Sequence, residues 1–315
     1  MPRPNEGNRA RTFHVASPIS GSDLFVTAEF ERWVSVYSLA DRRRISRFET
    51  IMDFGGQRLA LIGRDRTIVV TAAYTRYGVA AYDALTGERI WHRKDLKRAH
   101  WLAPLAEGSA VAVGFDNKPL HVLDGQTGET VDRWRGVRKV VSSAFSSEVI
   151  CTTNSCVNLG IFPGENRWVE VLADRAVLTA AFGPTAVALQ HVWFTNSPGA
   201  VPGDDERHTR LLSFDLEGNP LWEWKPAPYC QLNEIGWCDE TQHWVGLEWS
   251  WQQSGPLRIV RIDPSGGLIE RGPEVVARDV AFLGRGKYLV TNMGSVIHVP
   301  DGQTLWTFEP EQQVS

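Results

Sequence analysis

The stretch Val79-Ala-Ala-Tyr-Asp83-Ala-Leu-Thr-Gly87-Glu-Arg-Ile-Trp91 decides the fold. Its first half alternates with period two, the signature of a β-strand. Asp83 is placed to accept hydrogen bonds from backbone N–H groups two residues on, and Gly87 supplies the positive φ that a tight turn needs. A second short strand follows and ends on Trp91, large enough to fill the space between neighbouring sheets. One hairpin cannot bury such a side chain alone, so the unit calls for copies stacked beside it.

The copies are present. Leu120-His-Val-Leu-Asp124-Gly-Gln-Thr-Gly128 repeats the motif, as do Leu211-Leu-Ser-Phe-Asp215-Leu-Glu-Gly218-Asn-Pro-Leu-Trp222 and Val296-Ile-His-Val-Pro-Asp301-Gly-Gln-Thr-Leu-Trp306. A weaker copy centres on Asp263. Asp83 to Asp124 is 41 residues, Asp215 to Asp263 is 48 and Asp263 to Asp301 is 38. The 91 residues from Asp124 to Asp215 hold one further unit, Cys156-Val-Asn-Leu-Gly-Ile-Phe-Pro-Gly164, with Pro-Gly in place of the Asp turn. Another lies upstream at Trp33-Val-Ser-Val-Tyr-Ser38. Each motif is preceded by two more apolar strands, such as 58–62 with 67–72, so a unit holds four strands. Seven four-stranded units predict an all-β chain folded as a single seven-bladed β-propeller of antiparallel blades. The expected propeller spans 12–310, with blades near 12–50, 51–95, 96–136, 137–173, 174–226, 227–272 and 273–310. Residues 1–11 read as a flexible segment and 311–315 as a tail.

The Asp-x-x-Thr-Gly-x-x-x-Trp pattern of Asp83, Gly87 and Trp91 resembles the repeat of quinoprotein-like (PQQ-like) propellers, within the wider WD40-like propeller group. Asp124 and Gly128 match it, and Asp215 with Trp222 and Asp301 with Trp306 match with one departure each. The resemblance implies the propeller fold and a structural role for these residues. The quinone dehydrogenases of that group imply eight blades, a calcium site and adjacent cysteines, whereas here the cysteines stand at 151, 156, 230 and 238. No quinone, other cofactor or metal is therefore expected.

Composition narrows the function classes. The chain has 315 residues, a formal charge of −4 and 13 Trp. That balance excludes a globally basic nucleic-acid binder and leaves room for a local basic patch. No apolar run approaches the ~18 residues of a membrane helix, and no apolar signal core follows the first residues. A cytoplasmic protein without membrane association is the expectation. HExxH, GxSxG, P-loop and dinucleotide fingerprints are absent, and the eight His are scattered.

In an antiparallel four-stranded blade, the links between blades emerge on the same face as the turns between the second and third strands. Consecutive inter-blade links are basic here: Arg93, Lys94, Lys97 and Arg98 in one, Arg135, Arg138 and Lys139 in the next. Arg76, Lys118 and Arg175 belong to the same face. Such a rim suits a partner with an anionic surface. Residues 193–208 read as a long insertion loop on that face, and Trp237 and Trp244 read as blade packing. Trp249 and Trp251, read as nearer a loop, together with Arg76 and His100, are the alternative ligand-binding set. Cys151 and Cys156 flank a hairpin turn and are placed to face each other.

Two functions are expected from these features. The first is a non-catalytic interaction platform, a scaffold or adaptor subunit that binds protein partners through one loop face, with nucleic acid entering only as part of a larger complex. The alternative is a propeller that binds a small molecule or carbohydrate, or acts on it as a lyase, at the mouth of the central channel.

Overall fold

A computed structural model describes residues 14–16, 23–28, 32–52, 58–63, 67–72, 77–116, 118–163, 168–173, 177–195, 206–250, 256–277, 280–283 and 285–308. Among them, 28 strands form seven four-stranded sheets, each an antiparallel meander in chain order. Blade one holds β1 (His14–Ala16), β2 (Leu24–Ala28), β3 (Trp33–Ser38) and β4 (Arg43–Glu49). Blade two holds β5 (Arg58–Ile62), β6 (Ile68–Ala72), β7 (Val79–Asp83) and β8 (Arg89–Arg93). Blade three holds β9 (Trp101–Leu105), β10 (Ala110–Gly114), β11 (Leu120–Asp124) and β12 (Thr130–Trp134). Blade four holds β13 (Lys139–Ser142), β14 (Glu148–Thr152), β15 (Val157–Ile161) and β16 (Val169–Leu172). Blade five holds β17 (Val177–Phe182), β18 (Ala186–Thr195), β19 (Glu206–Asp215) and β20 (Pro220–Trp224). Blade six holds β21 (Cys230–Cys238), β22 (His243–Ser250), β23 (Leu257–Ile262) and β24 (Leu268–Val275). Blade seven holds β25 (Val280–Leu283), β26 (Tyr288–Thr291), β27 (Ser295–His298) and β28 (Thr304–Thr307).

The first strand of each blade lies beside the first strand of the next, and β25 returns to β1. The ring is a seven-bladed β-propeller in which every blade is one contiguous stretch of chain. Its apolar core is divided into seven clusters, one for each contact between neighbouring blades. The contact between blades seven and one is aromatic. Phe25 stacks on Tyr37 at 5.0 Å between ring centroids, and Phe308 lies 4.6 Å from Tyr37. Trp306 meets both Phe25 and Tyr37 edge-on.

The repeat motif does what its chemistry requires. Asp83 Oδ1 accepts from the N–H of Leu85 at 2.9 Å and of Thr86 at 2.8 Å. Asp124 repeats this with Gln126 and Thr127. Asp215, Asp263 and Asp301 accept from the N–H of Asn219, Ser265 and Gln303. Trp91 is buried and donates from Nε1 to the carbonyl of Gly125 in the next blade at 3.0 Å. Gly87 and Gly128 both have positive φ, and a Cβ on Gly128 would stand 2.6 Å from the Trp91 ring. Turn and Trp thus lock one blade to the next.

Two expectations about local structure change. The insertion at 193–208 is strand at both ends. β18 and β19 pair from Ala186↔Asp215 to Thr195↔Glu206, four pairs past the last pairings of β17 at His191 and β20 at Leu211. The β-favouring Trp-Phe-Thr run simply continues the strand; residues 196–205 lie outside the described residues. Trp249 lies within β22, in register with Gln231, and packs on the cluster between blades six and seven. It is the last residue but one of this eight-residue strand, so it stands near the loop end while its ring faces the blade contact.

Candidate functional site

Because each blade is a meander, the β8–β9 and β12–β13 links share an upper face with the turns between second and third strands. Residues 94–100 and 135–138 are these two links, and Lys118 sits in the β10–β11 turn beside them. Lys94, Lys97, Arg98, Lys118, Arg135, Arg138 and Lys139 are exposed. Arg133, near the end of β12, is exposed as well. Among the described residues, Lys94, Lys97, Arg98, Lys118, Arg133 and Arg135 make no ion pair.

Two members of the expected rim are tied into the fold. Arg93 forms a paired contact with Asp95 at 2.7 and 2.9 Å and donates to the Gly128 carbonyl at 2.7 Å and Thr130 Oγ1 at 3.1 Å. Asp95 holds the Arg93 guanidinium above its usual range, and Arg93 holds the Asp95 carboxyl below its own. Arg93 therefore stitches blade two to blade three. Arg138 donates from Nε to Asn154 Oδ1 at 2.6 Å and from its guanidinium to the Asp116 carbonyl. It bridges the turns of blades three and four while staying exposed.

Of the alternative ligand set, Arg76 and Trp251 lie outside the described residues, as does Arg175. His100 Nε2 stands 2.5 Å from Asp116 Oδ2, and its carbonyl accepts from Arg58. Of this set His100 and Trp249 are described, and both make contacts within the fold.

His121 is one of the scattered histidines to which the sequence assigns no role. It is half-buried on β11, opposite Arg133, with Phe115 edge-on at 5.8 Å and Lys118 over the Phe115 ring. Burial, then Arg133, Arg93 and Lys118, push its pKa below the usual imidazole value. The sequence sets His121 apart from the cation runs at 93–98 and 133–139, and only the fold brings their members around it.

Blades five to seven treat charge differently. There every Lys or Arg whose side chain is described is ion-paired: Arg210 and Lys225 with Glu223, Arg258 with Glu274, Arg261 with Glu270, Arg271 with Glu248, Arg285 with Asp239 and Lys287 with Glu240. Glu248 is buried and also accepts from the Ala227 N–H at 3.1 Å. On the lower face, Arg285 lies 5.1 Å over the ring of Phe145. That contact joins the first turn of blade four to the first turn of blade seven, across the lower mouth of the channel.

The cysteines are free thiols. Cys151 stands opposite Asn158 rather than Cys156, which lies two positions away in the turn; Cys156 Sγ accepts from Asn158 Nδ2 at 3.3 Å. Burial alone pushes the Cys151 thiol far up. Among the described residues, no group of three His, Cys, Asp or Glu is placed to hold a metal ion, and no helix is long and apolar enough to cross a membrane.

No protein-family model matches the chain, and no curated protein matches it. Solved structures do. Hydrazine synthase of Kuenenia stuttgartiensis matches with a TM-score of 0.67 at 12% identity, over 93% of this chain and 98% of that one. The WD40 domain of Neurospora crassa Pan2 matches at 0.59 and 14% identity, over 92% and 87%. The computationally designed Ika8 protein matches at 0.59 and 15% identity, over 95% and 87%. At such identities the likeness shows the fold alone.

Proposed function

We propose that this propeller is a cytoplasmic interaction platform that docks an anionic protein surface on the upper face of blades two to four. One observation carries the reading. The chain pairs every cation of blades five to seven whose side chain is described, yet leaves Lys94, Lys97, Arg98, Lys118, Arg133 and Arg135 without carboxylates. Residues 93–139 hold nine Lys and Arg against six Asp and Glu in a chain whose net charge is −4. Like charges held together on a rigid frame repel, so folding gains nothing from the cluster, whereas an opposing surface gains both association rate and specificity. The likeness to a WD40 domain is compatible with a scaffold role. The quinoprotein-like character of the Asp-turn repeat is part of the same reading, as a building unit without quinone chemistry.

The test is a variant with Lys97, Arg98 and Arg135 all changed to Glu. These three residues hold no ion pair, so melting should be unchanged. Capture from lysate should lose the partners that wild type releases with added salt, and association with them should slow. Recovery of the same partners with the same salt dependence would overturn the reading.

A further inference from the structure

His121 sits where an anion on the basic sector would be felt most. From its own sheet it faces Arg133 and Thr130 on β12 and Val113 on β10. From the adjoining turn come Phe115 and Lys118, and from blade two come Arg93 and its partner Asp95. Asp95 is the single acid in that shell and is engaged by Arg93 through two hydrogen bonds. The Thr130 hydroxyl accepts from Arg93 at 3.1 Å, which leaves its own hydrogen available to His121 Nδ1, 3.5 Å away. That arrangement suits the neutral ring, with Nδ1 as acceptor.

We propose that His121 takes up a proton when an oxyanion-rich partner segment docks on the basic sector, so that docking tightens as pH falls. This rests on the platform reading above and adds its regulation. The cations that disfavour imidazolium in the free protein are the groups a docked anion neutralises, and an opposite charge nearby favours the protonated ring. Linkage then works both ways: if docking raises the affinity of His121 for its proton, protonation raises the affinity for the anion by the same factor. The free ring titrates below the ordinary value of about 6.5, so the effect falls in mildly acidic solution. The neighbouring His100 is held by Asp116 and serves as the internal contrast.

The probe is a labelled decaglutamate peptide at low salt, with a phosphoserine-rich peptide of equal charge to separate carboxylate from phosphate sources. Histidine ring NMR follows His121, its signal assigned by its loss in His121→Gln. Saturating probe should raise the His121 pKa, and affinity should increase about three- to tenfold from pH 7.5 to 5.5, the factor that roughly half to one pK unit supplies. His121→Gln should bind as wild type at pH 7.5 and lose that increase. If the probe binds and His121 titrates unchanged, or if His121→Gln keeps the full pH dependence, the proton linkage is wrong and the platform stands. If neither peptide binds and charge reversal at Lys97, Arg98 and Arg135 changes nothing, the platform reading itself falls.

Discussion

Blades two to four and blades five to seven share one repeat and one architecture, but they manage charge in opposite ways. In the second group cations are matched with carboxylates, as Arg271 is with buried Glu248 and Lys287 with Glu240. In the first group, Lys94, Lys97, Arg98 and Arg135 on consecutive links stand without carboxylate partners. Matched charges hold a frame in place; unmatched ones store a field that only something outside the chain can neutralise. The same fold therefore has one side whose charges are matched within the chain and one where several are not.

The comparison breaks first if the frame is not general to all blades. Trp91→Ala removes a buried ring and its bond to the Gly125 carbonyl, and should cost roughly 3–5 kcal/mol by chemical denaturation. A loss under 1 kcal/mol would mean that the blade two to three contact does not depend on this Trp.

A smaller effect separates the two sides. Arg271→Ala leaves Glu248 buried without its ion partner and should destabilise by about 2 kcal/mol, less than a fully enclosed pair because Arg271 is partly solvated. Lys97→Ala should fall within about 0.5 kcal/mol of wild type. Equal losses in the two variants would erase the distinction.

The fold was legible because turn chemistry is local. An Asp that accepts from two N–H groups and a Gly at positive φ announce themselves within five residues, as at Asp83 and Gly87. The basic rim was legible as composition, but not its state of pairing. Whether Arg93 is free or bound depends on Gly128 and Thr130, some 35 residues away in the next blade. The Phe145 and Arg285 contact, 140 residues apart, left no trace in periodicity. That Trp249 packs between blades six and seven depends on the neighbouring blade, which the local sequence does not show.

Acid should sharpen the contrast next. Side-chain hydrogen bonds from Asn219 and Ser265 hold Asp215 and Asp263 below the usual carboxylate range, and the Gln303 N–H does the same for Asp301. Their folded pKa values are depressed, so the stability they lend is complete above the unfolded value of about 3.9 and disappears as pH falls through the folded values. The melting temperature should drop below about pH 4, and Asp263→Asn should flatten that part of the curve. An unchanged acid limb would deny these turns a role.

Salt gives the smallest signal. Raising ionic strength screens attraction in blades five to seven and repulsion in blades two to four. Hydrogen exchange should therefore quicken slightly in the former and slow slightly in the latter. Movement in the same direction on both sides would show that the two groups do not differ in electrostatic balance.

The aromatic contact between the last blade and the first has a consequence in time. Phe25 and Tyr37 are buried in the finished ring, covered by blade seven. A ribosome must add the 258 residues from Glu49 to Thr307 before that cover exists. At roughly 5–20 residues per second, blade one waits about 13–50 s with an oily face uncovered. The nascent chain is thus a half-minute liability before it is a ring, and anything that slows synthesis lengthens the interval in which a holdase or another nascent chain can reach Phe25 first.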